Sequence, residues 1–121
     1  MIKKIALIFI VFMLILFLIN YIGYKKPIGK QLDELSPTLS LDVPSIVYES
    51  KFLLKGIASD NMGVREVKVK LDNDNWEKAS GTNSWTKTLN LKPGLNTIYI
   101  QAFDTSNNAS PVLTNEIIYQ T

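Results

Sequence analysis

Residues 58–76 read ASDNMGVREVKVKLDNDNW. At the centre of this stretch, Val67, Val69 and Leu71 alternate with Glu66, Lys68 and Lys70. A period of two puts the aliphatic residues on one face of a β-strand and the charged residues on the other. Acid and amide side chains flank the run, Asp60-Asn61 before it and Asp72-Asn73-Asp74-Asn75 after it. Such short polar side chains hydrogen-bond their own backbone and shape turns, so a turn is predicted at each end. Across the strand the two acidic ends lie roughly 25 Å apart at ~3.3 Å rise per residue. They therefore cannot form one site, and Asp72–Asn75 is read as a strand-connecting turn.

The same texture extends outward. Leu39-Ser40-Leu41 opens it. Lys51–Ala58 follows, with Phe52, Leu54 and Ala58 on one face and Gly56 permitting close backbone approach. A short strand carries Trp76, and Trp85–Leu91 carries Trp85, Leu89 and Leu91. Lys92-Pro93-Gly94 has the order of a type II turn. In Asn96–Asp104, Ile98, Ile100 and Ala102 oppose Tyr99, Gln101 and Phe103, and a last strand covers Val112–Tyr119. Short strands at this spacing predict an all-β fold, an immunoglobulin-like β-sandwich of about seven strands over residues 38–121. Both tryptophans are expected in its core.

The N-terminal part is of another kind. Every residue from Ile5 to Ile19 is apolar, and the run continues through Tyr21-Ile22-Gly23-Tyr24 to Lys25-Lys26-Pro27. Residues 5–24 at about 1.5 Å each match the roughly 30 Å hydrocarbon layer, so 1–24 is predicted to be a transmembrane signal-anchor contacting membrane lipid. Bulky residues after the run do not suit signal cleavage, although cleavage would give a secreted form. Residues 25–37 form a linker, with a short helix around 30–35 bracketed by Pro27 and Pro37. Five of the 13 basic residues lie at or before Lys30, leaving eight against 11 acids beyond it, a net charge of −3. A mildly acidic domain is a poor nucleic-acid binder. The domain type implies an N-in, single-pass protein of the cytoplasmic membrane with its C-terminal domain extracytoplasmic.

With no Cys and no His, the chain has no disulfides, thiol catalysis, Cys/His zinc sites or His-based triads. We expect no enzyme activity and no obligatory cofactor. One metal candidate stands out. In an immunoglobulin topology Asp60 and Asp104 share one end of the sandwich, with Asn61, Asn107 and Asn108 nearby. Their oxygens are of the type calcium takes, and the alternative is that both aspartates simply hold Asx-turns. The candidate interaction face is the outward set Glu66, Lys68, Lys70, Tyr99, Gln101 and Phe103. Aromatic rings beside lysines there are suited to a sugar or a protein, or else pack only on one another across strands. If the last strand is an edge, Ile117, Ile118 and Tyr119 offer it to another chain. Asn108-Ala109-Ser110 fits a glycosylation acceptor, with Pro111 against it.

Two longer strings carry a family resemblance. GIASDNMGVREVKVKLD at 56–72, with Trp76 beyond it, and LKPGLNTIYIQAFDTSNN at 91–108 resemble bacterial Ig-like domains of the glucodextranase-domain type. The resemblance covers residues 38–121; fibronectin type III and cadherin-like sandwiches are the nearest alternatives. Asn107 departs from the pattern, which commonly has Gly there, but Asn tolerates the left-handed conformation. The resemblance implies an extracellular spacer, accessory or adhesion module without catalysis. The expected function is binding, adhesion or scaffolding at the cell surface, toward a surface protein or glycan. The alternative is a self-assembling subunit of a surface complex or filament.

Overall fold

The computed structural model describes residues 2–24 and 33–121. The chain divides into two units, residues 1–32 and 33–121. In the first, helix α1 spans Ile2–Tyr24, and its residues 6–18 are all apolar and exposed. Among the described residues, no helix is long and apolar enough to cross a membrane. The expected linker and its short helix lie, as far as residue 32, outside the described residues.

The second unit is all β. Its strands are β1 (Thr38–Ser40), β2 (Ile46–Val47), β3 (Lys51–Ser59), β4 (Val64–Leu71), β5 (Glu77–Lys78), β6 (Ser80–Gly81), β7 (Ser84–Asn90), β8 (Gly94–Asp104) and β9 (Leu113–Tyr119). One sheet has the order β1-β3-β7-β6 and the other β2-β9-β8-β4-β5. The alternating runs become the long strands because each buries one face: Leu54 and Ala58 from β3, Val67, Val69 and Leu71 from β4, Trp85 and Leu89 from β7, and Ile98, Ile100 and Ala102 from β8. The two inner faces meet as the layers of an Ig-like β-sandwich.

Trp85 is the largest of these core side chains, with 0% exposure. It stands directly across from Gly56 in the β3–β7 register. A Cβ at Gly56 would fall within 3.0 Å of three of its ring carbons, so the indole requires bare backbone opposite it. Two other positions fix turns. Gly94 has φ 95 where the Lys92-Pro93-Gly94 turn requires a left-handed residue, and Asn107 adopts φ 67 in place of the expected Gly. Residues 72–75 do form the turn that joins β4 to β5, with the Asp74 N–H donating to the Leu71 carbonyl at 2.9 Å.

Three expectations change. Trp76 is not in a strand and not in the core; it lies just before β5 and is 39% exposed. Ile117 is wholly buried core rather than an edge side chain. The far end of β9 is also covered, since β2 pairs parallel with it at Ile118 and Tyr119. The compact unit begins at Asp33, and Pro37 is fully buried in it.

Candidate interaction face and acidic loop cluster

Strands β4 and β8 pair antiparallel, with Glu66 across from Phe103, Lys68 from Gln101 and Lys70 from Tyr99. Directly opposed residues of an antiparallel pair project to the same side. All six candidate face residues therefore come together on the outer surface of the five-stranded sheet, each half-buried. The register shifts between Val64 and Glu66, and this irregularity also brings Arg65 out.

The face contains two aromatic stations under cations. The Lys68 ammonium sits 5.5 Å and the Arg65 guanidinium 5.8 Å from the centre of the Phe103 ring. Farther along, the Lys70 ammonium lies 4.8 Å from Tyr99 and 5.6 Å from Trp76. Glu66 links the first station, its carboxylate 3.2 Å from Arg65 and 3.8 Å from Lys68. Exposed pairs of this kind add little stability, so their main effect is to hold the side chains in place. Lys78 stands opposite Lys68 in the β4–β5 register and adds a further cation to the same side. Gln101 is occupied: its amide donates to the Ser110 carbonyl at 2.9 Å and pins the loop before β9.

Sequence reasoning missed Trp76, Arg65 and Lys78 here. Trp76 was recoverable. Carrying the register back from the turn that follows Leu71 sets it opposite Lys70, on the outer side. Arg65 was not recoverable, because period-two counting cannot foresee a register shift.

A second cluster lies at the sandwich end where β3 and β8 finish. Asp60 and Asp104 meet there, and Asp33, from the stretch read as linker, joins them. The three offer carboxylate oxygens within 4.8 Å of one another. Asp104 is fully buried; its Oδ1 accepts the N–H groups of Ser106 and Asn108, both at 2.8 Å, and its Oδ2 accepts the Asn108 amide at 2.9 Å. Burial pushes the Asp104 carboxyl up, but hydrogen bonds from the Asn108 side chain and from the Asn108 and Ser106 backbone hold it below its ordinary value. Asp60 Oδ2 accepts the Met62 N–H at 2.9 Å and Asp33 Oδ1 the Leu35 N–H at 3.2 Å, so each makes a local Asx-turn. The Asn108 amide also donates to the Asp33 carbonyl at 2.8 Å. Its amide is thus engaged twice in the fold at the position of the glycosylation pattern.

No family model matches the chain, and no curated protein matches it. Solved structures do. A structure of the Clostridium thermocellum CbhA fibronectin(III)-like modules is 20% identical with a TM-score of 0.58, covering 71% of this chain and 47% of that one. The SrpA adhesin from Streptococcus sanguinis is 18% identical with a TM-score of 0.55, covering 75% of this chain and 60% of that one. A mutant of the same adhesin is also 18% identical with a TM-score of 0.53, covering 70% and 57%. This chain spans about half to three-fifths of the length of those structures. At such identities the likeness is one of fold: the Asp33–Thr121 unit is an Ig-like, fibronectin III-like β-sandwich.

Proposed function

We propose that the chain is a non-enzymatic binding module of the cell surface, an Ig-like sandwich of the glucodextranase-domain type on an N-terminal membrane anchor. The observation that carries this reading is the outer face of β4 and β8, where Arg65, Lys68 and Lys70 are held over Phe103, Tyr99 and Trp76. Aromatic faces accept the C–H faces of sugars, and the cations beside them pair with carboxylates. The partner that fits is an acidic surface glycan. Adhesion is also in keeping with the kind of proteins that share the fold, one of them a surface adhesin. The test is binding of the full chain, in non-ionic detergent, to immobilised carboxylate-bearing and neutral glycans. Binding confined to the acidic set and weakened at high salt supports the reading. Equal binding to both sets removes the role of the cations.

Anchoring rests on α1. In sequence, the apolar run of residues 5–24 would extend roughly 30 Å as a helix, the thickness of the hydrocarbon layer, although no helix of the described residues meets the length and apolarity of a span. When membranes of expressing cells are washed with alkaline carbonate, the chain is expected to stay with the pellet. Release into the supernatant would contradict an integral anchor.

A second reading has its own observation. On the outer side of the other sheet, Leu53 and Ile57 of β3 are 48% and 62% exposed. This suits a subunit that assembles with its own copies. Sedimentation of the full chain at micromolar concentration distinguishes the two: self-association lost on Leu53→Lys and Ile57→Lys favours assembly, and a monomer favours the glycan partner.

A further inference from the structure

We propose that Asp33, Asp60 and Asp104 form a calcium site that ties the chain entering the sandwich to its two end loops. Each of two carboxylates has one oxygen engaged in its own turn and one left over. Asp33 Oδ2 and Asp60 Oδ1 are both sealed from solvent and meet no hydrogen-bond donor. An anionic oxygen sealed from water without a donor is costly, and here two occur in a cluster whose carboxylates converge within 4.8 Å. Among the described residues, no basic side chain pairs with them: the ion pairs are those of Glu66 and Glu77. Arg65, at the start of β4, is taken up by Asn107, Glu66 and Phe103.

Asp104 has the capacity left to join. Oδ1 already accepts two N–H groups, but Oδ2 accepts only one, and a carboxylate oxygen has two acceptor positions. Three hard oxygen donors of charge −1 on irregular backbone, with no nitrogen or sulfur among them, suit calcium. Its remaining positions are ordinarily completed by carbonyl oxygens and water. Magnesium, which demands a near-ideal octahedron and holds its waters, suits such a site less well. Asp33 makes the ion structural in a particular way. It lies well before Asp60 in sequence, so the ion would fasten the segment ahead of β1 to the loops after β3 and β8.

The experiment uses the full chain in non-ionic detergent, stripped with EDTA and then melted with calcium chloride, magnesium chloride or neither. Calcium at about tenfold its dissociation constant is expected to raise Tm by about 5–10 °C, and magnesium by clearly less. Asp33→Asn and Asp60→Asn should each lose most of that rise. In EDTA the same two variants should melt above the wild-type chain, because removing one charge relieves the repulsion among three. That inversion of order between EDTA and calcium is what a purely structural set of turns would not produce. No rise at about 10 mM calcium, beyond the range of extracellular modules, overturns the site. A rise of the same size in wild type and both variants also overturns it, by placing the ion elsewhere.

Discussion

Replacing Trp85 with alanine is expected to lower the stability of the sandwich by about 3–5 kcal/mol, the range for removing a buried large aromatic. Trp85 has no exposed surface, and its ring covers the bare backbone of Gly56 on the facing strand. Neither neighbour can refill the space: a glycine has no side chain to rotate in, and the strands on either side are fixed by their ladders. A domain of about 90 residues has a total stability of roughly 5–13 kcal/mol. The loss would thus bring the variant near the unfolding transition at ambient temperature. Trp85→Phe is the informative partner. It keeps most of the ring and removes the indole N–H, which is buried without an acceptor, a feature that itself costs about 1–3 kcal/mol. It should therefore remain within about 1.5 kcal/mol of the wild-type protein. Urea unfolding followed by far-UV circular dichroism reads both. An unchanged midpoint for Trp85→Ala would mean that the two sheets do not pack around this side chain.

Asn96→Ala is the second large effect, expected at about 2–4 kcal/mol. Asn96 is fully buried inside β8, where a hydrophobic residue would ordinarily sit. Its Oδ1 accepts the Lys92 N–H at 2.9 Å, and its Nδ2 donates to the carbonyls of Lys92 and Gly94 at 2.8 and 3.0 Å. One side chain thus closes the turn that leads from β7 into β8. Alanine would leave one donor and two acceptors of the backbone without this partner. The turn is only partly buried, so water replaces some of these bonds, which keeps the loss below the full desolvation penalty. Because the turn sets where β8 begins, the variant should also show faster amide hydrogen exchange at Lys92 and Gly94 than in the core strands. A stability change within about 0.5 kcal/mol, typical of surface substitutions, would show that the side chain is not needed to hold the turn.

The long strands were legible because each is half-buried, and burial on one face writes a period of two into the residues. Val64–Leu71 has the same bounds in sequence and structure, and β3, β7 and β9 agree to within a residue. The short strands β2, β5 and β6 left no such trace, since two residues cannot show a period. For that reason the cover over the end of β9 was invisible. Trp76 was placed in the core on hydrophobicity alone, whereas the register set by the preceding turn puts it outside with Lys70. Alternation set Glu66, Lys68, Lys70, Tyr99, Gln101 and Phe103 on one side of the sheet, as the β4–β8 register has them, but it did not reach the residues near the register shift and the hairpin. The acidic cluster was half visible: topology brought Asp60 to Asp104, but nothing in the spacing could bring in Asp33 from a proline-bracketed segment.

Module and face together form the central proposal, in which the sandwich is a frame and the cation-covered aromatics on its five-stranded sheet are the binding surface. The most direct measurement compares the full chain with a Tyr99→Ser, Phe103→Ser double variant in affinity for an immobilised carboxylate-bearing glycan, with far-UV circular dichroism as the control for folding. Both rings are only half-buried on the outer side, so the variant should keep its sheet signal while its affinity falls by at least about tenfold, or roughly 1.4 kcal/mol. A folded variant that binds as tightly as the wild-type chain would contradict the account.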